Sequence, residues 1–190
     1  PNHRMIEKAE AEGDARAYVP FMLRCITAVA AVGLRPFLLI HEQDDWELAR
    51  TIQEQASRDI SIRTESTPVA LKALLGRCDL VVGSRFHALV GALSQGVPAI
   101  GTSWSHKYEM LFQDYGCEEM LLAVSTPEEE IRQRACEAVE DQGDRLKSRI
   151  ESRAETLRER TATMWERVDE RLGLPSSARA TEMKGAGESV

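Results

Sequence analysis

The sequence predicts an α/β fold with a doubly wound parallel sheet and a long helical segment toward its C-terminal end. Short apolar runs with β-branched residues, such as Leu80–Val82 and Val97–Ile100, are typical of strands buried on both faces of a sheet. Helical patterns alternate with these runs, as expected of parallel strands joined by right-handed crossovers. From Thr126 onward, a charged amphipathic pattern replaces the alternation.

The first part of the chain carries signals for alternating helices and strands. They are predicted at residues 17–32 (helix), 36–41 (strand), 44–57 (helix), 60–63 (strand) and 67–76 (helix). Gly33 ends the first helix, and the acidic pair Asp44–Asp45 opens the second. Thr67 is the expected N-cap of the third helix, because a proline follows it at the first helical position.

The alternation continues through the middle of the chain. Its elements are predicted at residues 80–82 (strand), 84–96 (helix), 97–100 (strand), 107–114 (helix) and 118–123 (edge strand). Ser84 is the expected N-cap of the helix between the two apolar runs, and Gly96 is expected to end that helix in a left-handed conformation.

Residues 1–125 form the predicted sheet domain, and residues 126–172 form a helical extension with one narrow apolar stripe. The stripe comprises Leu146, Ile150, Leu157, Met164, Val168 and Leu172. We expect a helix or helix pair, divided near Gly143, that packs on the sheet or on another domain; a coiled-coil dimer is the alternative. Residues 173–190 lack an apolar period and predict a disordered tail.

Arg85 and His87 lie where the Leu80–Val82 strand passes into a helix, which is where open α/β sheets bind ligands. A position in the first helical turn adds free backbone N–H groups and the positive end of the helix dipole. The pair is therefore a candidate clamp for a phosphate or a carboxylate. The plainer alternatives are an arginine that pairs with an acidic neighbour and a histidine that caps the helix or lies in the core.

The segment that contains this pair resembles the polysaccharide pyruvyltransferase family, in which an Arg-x-His precedes a Gly-x-Pro turn and a lysine. The matching residues are Arg85, His87, Gly96, Pro98 and Lys107. A weaker resemblance extends from about Tyr18 to Gly116. It implies the C-terminal, Rossmann-like half of an enzyme with a glycosyltransferase-B-like architecture, in which a missing N-terminal domain of the same protein supplies the other wall of the active site.

The resemblance implies transfer of a pyruvyl group from phosphoenolpyruvate to a sugar of a polysaccharide or glycan precursor, forming a ketal. Phosphoenolpyruvate carries a carboxylate and a phosphate, and the guanidinium fork of Arg85 suits either group. His87 is expected to move a proton or to bind the leaving phosphate, because a histidine side chain is able to do either. We therefore expect Arg85 and His87 to be the catalytic residues.

Five further residues are expected to bind substrate: Lys107, His41, Ser84, Ser103 and Trp104. His41 ends one predicted strand, and the loop before Lys107 follows another, so these side chains are expected at the sheet edge where Arg85 lies. For Lys107 the alternative is a solvated lysine near a helix start. No general base for the sugar is assigned.

Composition and missing motifs exclude several classes of protein. The net charge of −7 and isoelectric point near 5.2 argue against nucleic acid as a partner, which requires a basic face. The cysteines match no metal-ligand spacing, and no Walker A or Gly-x-Gly-x-x-Gly sequence occurs. No apolar run could span a bilayer, and no signal-peptide pattern is present. We expect a cytoplasmic enzyme without metal or cofactor. Peripheral contact with a membrane is expected only where the sugar acceptor is linked to a membrane.

Two other functions remain open on the sequence. A nucleotide-sugar-dependent glycosyltransferase or epimerase would use Arg85 and Lys107 to hold a diphosphate. A non-catalytic interaction module would instead dock a partner through its C-terminal helix. Binding of phosphoenolpyruvate, of a nucleoside diphosphate or of neither separates the three functions.

Overall fold

The structure is a computed structural model that describes residues 1–2, 5, 17–102, 105–139 and 143–174. The helices discussed below are α1 (Tyr18–Ala31), α2 (Trp46–Gln55), α3 (Pro68–Leu75), α4 (Phe86–Leu93), α5 (His106–Asp114), α6 (Glu128–Val139) and α7 (Gly143–Leu172). The strands are β1 (Leu38–Ile40), β2 (Ile62–Thr64), β3 (Val81–Gly83), β4 (Ala99–Thr102) and β5 (Leu121–Leu122). This order confirms the prediction of a mixed α/β chain with parallel strands and a long C-terminal helix.

In the described part of the chain the strands form two parallel sheets, whereas the sequence predicted a single doubly wound parallel sheet. β1 pairs with β2, while β4 lies between β3 and β5. Between the edges of β1 and β3 lies a cavity of about 550 Å³, so these two strands do not hydrogen-bond to each other in the described residues. The predicted edge strand at residues 118–123 is a 3-10 turn, Glu118–Met120, followed by the two residues of β5.

Of the helix ends predicted from capping residues, those at Thr67 and Gly96 are confirmed and the one at Ser84 is not. Thr67 caps α3 as predicted, because its hydroxyl accepts a hydrogen bond from the backbone N–H of Ala70 at 3.1 Å. Gly96 has the predicted left-handed conformation, with φ of 78°. The helix after β3, however, begins at Phe86 with Arg85 as its extended N-cap residue, so the prediction that Ser84 caps it is wrong.

The core is built mainly from α1 and the sheet strands. α1 packs against α2 and α6 and buries Tyr18, Phe21 and Cys25. The strands add apolar side chains such as Ile100, which is fully buried. The core thus holds the carboxyl ends of the strands in a fixed relation to one another.

The C-terminal helix α7 has two different halves. Its first half packs against α6 and α4 and buries Leu146, Ile150 and Ala154. Its second half leaves Met164 and Trp165 about half exposed. The predicted apolar stripe is therefore buried only where α7 lies on the domain.

The predicted disordered tail falls almost wholly on residues 175–190, which lie outside the described residues. In the described part of the chain, no helix is both long enough and apolar enough to cross a membrane.

Candidate functional site

A cavity of about 460 Å³, here called the edge cavity, opens at the carboxyl ends of β1, β2 and β3. Its lining includes residues that follow the strand ends: His41 directly after β1, Glu65 directly after β2 and Arg85 two residues after β3. The starts of helices α3 and α4 also face it, through Thr67 and His87. Backbone N–H groups at two helix starts favour an anion, so this geometry suits a phosphate or carboxylate ligand.

Arg85 is the most strongly held side chain of the site. Its Nε and one terminal nitrogen donate to the two carboxylate oxygens of Asp45 at 3.0 and 2.7 Å, and its other terminal nitrogen lies 2.7 Å from Glu42. Asp45 is fully buried, whereas the Glu42 side chain is 48% exposed. Burial opposes the charge of Arg85, but the bonds and attraction from Asp45 and Glu42 outweigh it and raise the arginine pKa.

The Arg85–Asp45 contact matches the plainer alternative considered for this arginine, an acidic partner. The two acidic partners of the guanidinium differ in their exposure to solvent. Asp45 holds one side of the fork from the interior, and Glu42 holds the other from the solvent-facing wall. The Glu42 contact is therefore the one that a ligand can reach.

His41 lies at the edge cavity and also lines the larger cavity between β1 and β3. Its Nε2 atom is buried and has no hydrogen-bond partner among the described residues. Burial lowers its pKa to about 4, and repulsion from the positive charge of Arg85 adds to this shift. His41 is therefore a neutral imidazole near pH 7, with one polar atom still to be satisfied.

His87 lies in the first turn of α4 with an exposed side chain. Its ring packs edge-on to Phe86, with 6.2 Å between the ring centroids. Lys72 from α3 lines the same cavity and is also exposed. His87 and Lys72 thus provide side chains that can change position when a ligand enters.

Ser84 lies beneath this surface and is 1% exposed. Its hydroxyl is 2.7 Å from the hydroxyl of Tyr18, and its carbonyl accepts hydrogen bonds from Asn2 and Tyr108, both at 2.8 Å. These contacts tie α1, α5 and the start of the chain to the end of β3. In this structure Ser84 supports the site from within.

Lys107 lies outside the lining of the edge cavity. Its Nζ is 4.8 Å from the centroid of Phe86 and 5.4 Å from that of Tyr108, so the ammonium group lies over two aromatic rings. Phe86 directly precedes His87, which places Lys107 beside the start of α4. Ser103 and Trp104, also predicted to bind substrate, lie outside the described residues.

Several residues of the site were not singled out from the sequence. The sequence indicates only that Asp45 belongs to an acidic helix start, because nothing local marks it as the partner of Arg85. Lys72 and Glu65 were also missed, because neither belongs to a recognisable motif. Among the described residues, no group of three or more His, Cys, Asp or Glu side chains could hold a metal ion.

Comparison with known proteins gives one family. The model of that family, described as polysaccharide pyruvyl transferase, matches residues 2–106, which is more than half of the 190 residues. The match includes β1 to β4 and all the lining residues of the edge cavity. No solved structure matches the chain significantly.

Proposed function

We propose that this chain, which belongs to the polysaccharide pyruvyl transferase family, binds phosphoenolpyruvate at the edge cavity and transfers its pyruvyl group to a sugar as a cyclic ketal. Family membership identifies a pyruvyl transferase. The donor, the ketal product and the roles of individual residues are our proposal.

The observation that carries the proposal is the convergence of three strand ends and two helix starts on one cavity. Phosphoenolpyruvate has two anionic groups on a three-carbon frame, so it requires donors from more than one element. The starts of α3 and α4, the guanidinium of Arg85 and the ammonium of Lys72 offer such donors from different directions. A cavity of about 460 Å³ is also within the range of small-ligand sites.

In the proposed complex, Asp45 keeps its two bonds and holds the fork of Arg85 in place. The donor carboxylate replaces Glu42 at the outer nitrogen, because Glu42 is the half-exposed partner. The phosphate then lies toward His87 and the start of α4. Arg85 acts as the binding and orienting cation.

The proposed chemistry conserves atoms and protons. One sugar hydroxyl adds to the central carbon of the donor as its methylene carbon takes up a proton and becomes a methyl group. The second hydroxyl then replaces the phosphate at the same carbon, and its proton leaves with the phosphate. His87 is the proposed residue for proton transfer, because it is exposed at the cavity and an imidazole can both accept and donate a proton.

The sugar is proposed to enter from the solvent side of the edge cavity, where Glu42, Lys72 and His87 are exposed. We further propose that an N-terminal domain of the same protein forms the opposite wall and contributes the base for the sugar. An acceptor linked to a membrane lipid would meet the protein from this side.

The experiment measures phosphate release and donor binding in a polypeptide that contains both proposed walls. His87→Gln keeps hydrogen-bonding capacity but does not titrate, so turnover should fall roughly a hundredfold while donor affinity changes little. His106→Gln is the matched control, because His106 is also exposed in the first turn of a helix but lies outside the edge cavity. Tight binding of a uridine or guanosine diphosphate without binding of phosphoenolpyruvate would favour the glycosyltransferase or epimerase alternative.

A further inference from the structure

Glu42 lies at the mouth of the edge cavity, between Arg85 and the solvent. It follows His41 after β1 and has an extended backbone, with φ of −132° and ψ of 149°. Its carboxylate is 2.7 Å from a terminal nitrogen of Arg85, and its side chain is 48% exposed. Within the described residues, this contact is the only ion pair or side-chain hydrogen bond that Glu42 makes. A ligand that takes the Arg85 nitrogen therefore leaves the Glu42 carboxylate without a protein partner.

The backbone of Glu42 is held in place, so its side chain is the part that can move. Its carbonyl accepts a hydrogen bond of 3.0 Å from the backbone N–H of Asp45, which closes the short 3-10 turn Gln43–Asp45. Asp45 is fully buried and ties that turn to Arg85 by two further bonds. The Glu42 side chain lies in solvent, where an ion pair contributes little to stability. A Glu42 carboxylate that has left Arg85 consequently stays at the cavity mouth.

The freed carboxylate has a specific chemical requirement. A carboxylate only accepts hydrogen bonds, and its bonds from hydroxyl groups are stronger than those to a neutral acceptor. Water supplies hydroxyl groups while the cavity mouth is open. When a sugar displaces that water, the sugar hydroxyls must replace it, because a carboxylate left without hydrogen bonds is costly. A neutral sugar with neighbouring hydroxyl groups therefore fits beside Glu42, whereas a second anion does not.

We propose that Glu42 binds the acceptor sugar through the sugar hydroxyls, and that it can do so only when the carboxylate of phosphoenolpyruvate has taken its place on Arg85. This inference rests on the proposed function and adds an order to it, in which phosphoenolpyruvate binds first and the sugar second. The same carboxylate opposes one substrate and holds the other, so the two binding events are coupled. By reciprocity, a bound sugar strengthens the binding of phosphoenolpyruvate by the same factor.

The first measurement is the affinity for phosphoenolpyruvate alone, by calorimetry, in the polypeptide used for the activity experiment. Glu42→Gln keeps the shape of the side chain and removes its charge, so phosphoenolpyruvate should bind roughly fivefold more tightly or better. Glu65→Gln is the matched control, because Glu65 is an exposed carboxylate of the same cavity that has no ion pair with Arg85. Its charge is screened by solvent, so the control should change the affinity by less than about twofold.

Inorganic phosphate is the second probe of the same variants. It has no carboxylate to exchange with Glu42, and in the proposed complex the phosphate lies toward His87. Both variants should therefore bind it as the wild type does, which also shows that the cavity is intact. Equal tightening of phosphate and phosphoenolpyruvate by Glu42→Gln would mean a general charge effect and would overturn the inference.

The second measurement is sugar binding, by saturation-transfer NMR with the methyl glycosides of glucose, galactose and mannose. It is made in the His87→Gln background, where slow turnover preserves both substrates. With Glu42 present, at least one glycoside should bind more tightly when phosphoenolpyruvate is added. Glu42→Gln should remove this gain, and Glu65→Gln should keep it.

The outcomes separate this inference from the proposed function. If the wild type does not bind phosphoenolpyruvate, the proposed function fails and the inference fails with it. If phosphoenolpyruvate binds but Glu42→Gln does not bind it more tightly, the inference alone is overturned. Sugar binding that is the same with and without phosphoenolpyruvate also overturns it and leaves the donor site standing.

Discussion

Arg85 and Asp45 form a buried two-bond contact between elements 40 positions apart in the chain, with donor–acceptor distances of 3.0 and 2.7 Å. The contact joins the end of β3 to the turn after β1, beside the cavity that lies between these two strands. It therefore fixes the spacing of the two sheets at the edge where the proposed donor binds.

We predict that Asp45→Asn destabilises the protein strongly. The substitution leaves the Arg85 guanidinium buried without its main counter-charge, and removing one partner of a buried pair costs about 3–5 kcal/mol. The free energy of unfolding is measured by chemical denaturation. Asp44→Asn is the control, because Asp44 is exposed and its change should stay within about 0.5 kcal/mol. Equal stability of the two variants would contradict a structural role for Asp45.

We predict that His41 makes the protein less stable in mild acid. Its pKa in the folded chain is about 4, below the value of about 6.5 in the unfolded chain. Between these values the unfolded chain binds a proton that the folded chain does not, so the free energy of unfolding falls as the pH drops from about 6.5 toward 4.

Thermal unfolding at pH 7 and pH 5 measures this effect. His41→Gln should have a smaller loss of melting temperature between the two pH values than the wild type, whereas His106→Gln should keep the wild-type loss. An NMR titration that gives His41 a pKa of 6 or above would refute the prediction directly.

We predict that Gly101→Ala strains the core. A Cβ at this position would lie 2.6 Å from two ring carbons of Phe112, which is fully buried. Overpacking of this kind typically costs about 1–3 kcal/mol of stability. Gly83→Ala is a matched control, because Gly83 pairs with Gly101 across the sheet but a Cβ there would meet nothing within 4 Å. The double variant with Phe112→Leu should recover part of the loss, and no recovery would show that the ring is not the cause.

We predict that the two halves of α7 differ in their effect on stability. Ile150 is fully buried, so Ile150→Ala should cost about 2–5 kcal/mol. Leu172 on the same predicted stripe is 66% exposed, and Leu172→Ala should change stability by less than about 0.5 kcal/mol. Denaturation of both variants measures the difference. A large loss for Leu172→Ala would mean that the outer half of α7 is covered in solution.

The sequence predicted β1 to β4 to within two residues, because short β-branched runs bounded by turn residues are a local signal. It also predicted that His41 and Arg85 lie at one edge of the sheet region, since parallel strands place their carboxyl ends together. The pairing of Arg85 with Asp45 was beyond this reasoning, because no periodicity links positions 40 residues apart. The separation of β1 from β3 was missed for the same reason: strand order depends on contacts that the local pattern does not contain.

In the proposed complex, the half-exposed contact between Glu42 and Arg85 would make donor binding at this nitrogen an exchange of one carboxylate for another. A tethered carboxylate acts as a competitor with an effective concentration on the order of millimolar. An incoming ligand with a single negative charge has little advantage over it. A ligand with a second anionic group can gain further contacts at the helix starts. Competition from the Glu42 carboxylate would therefore favour ligands with more than one negative charge.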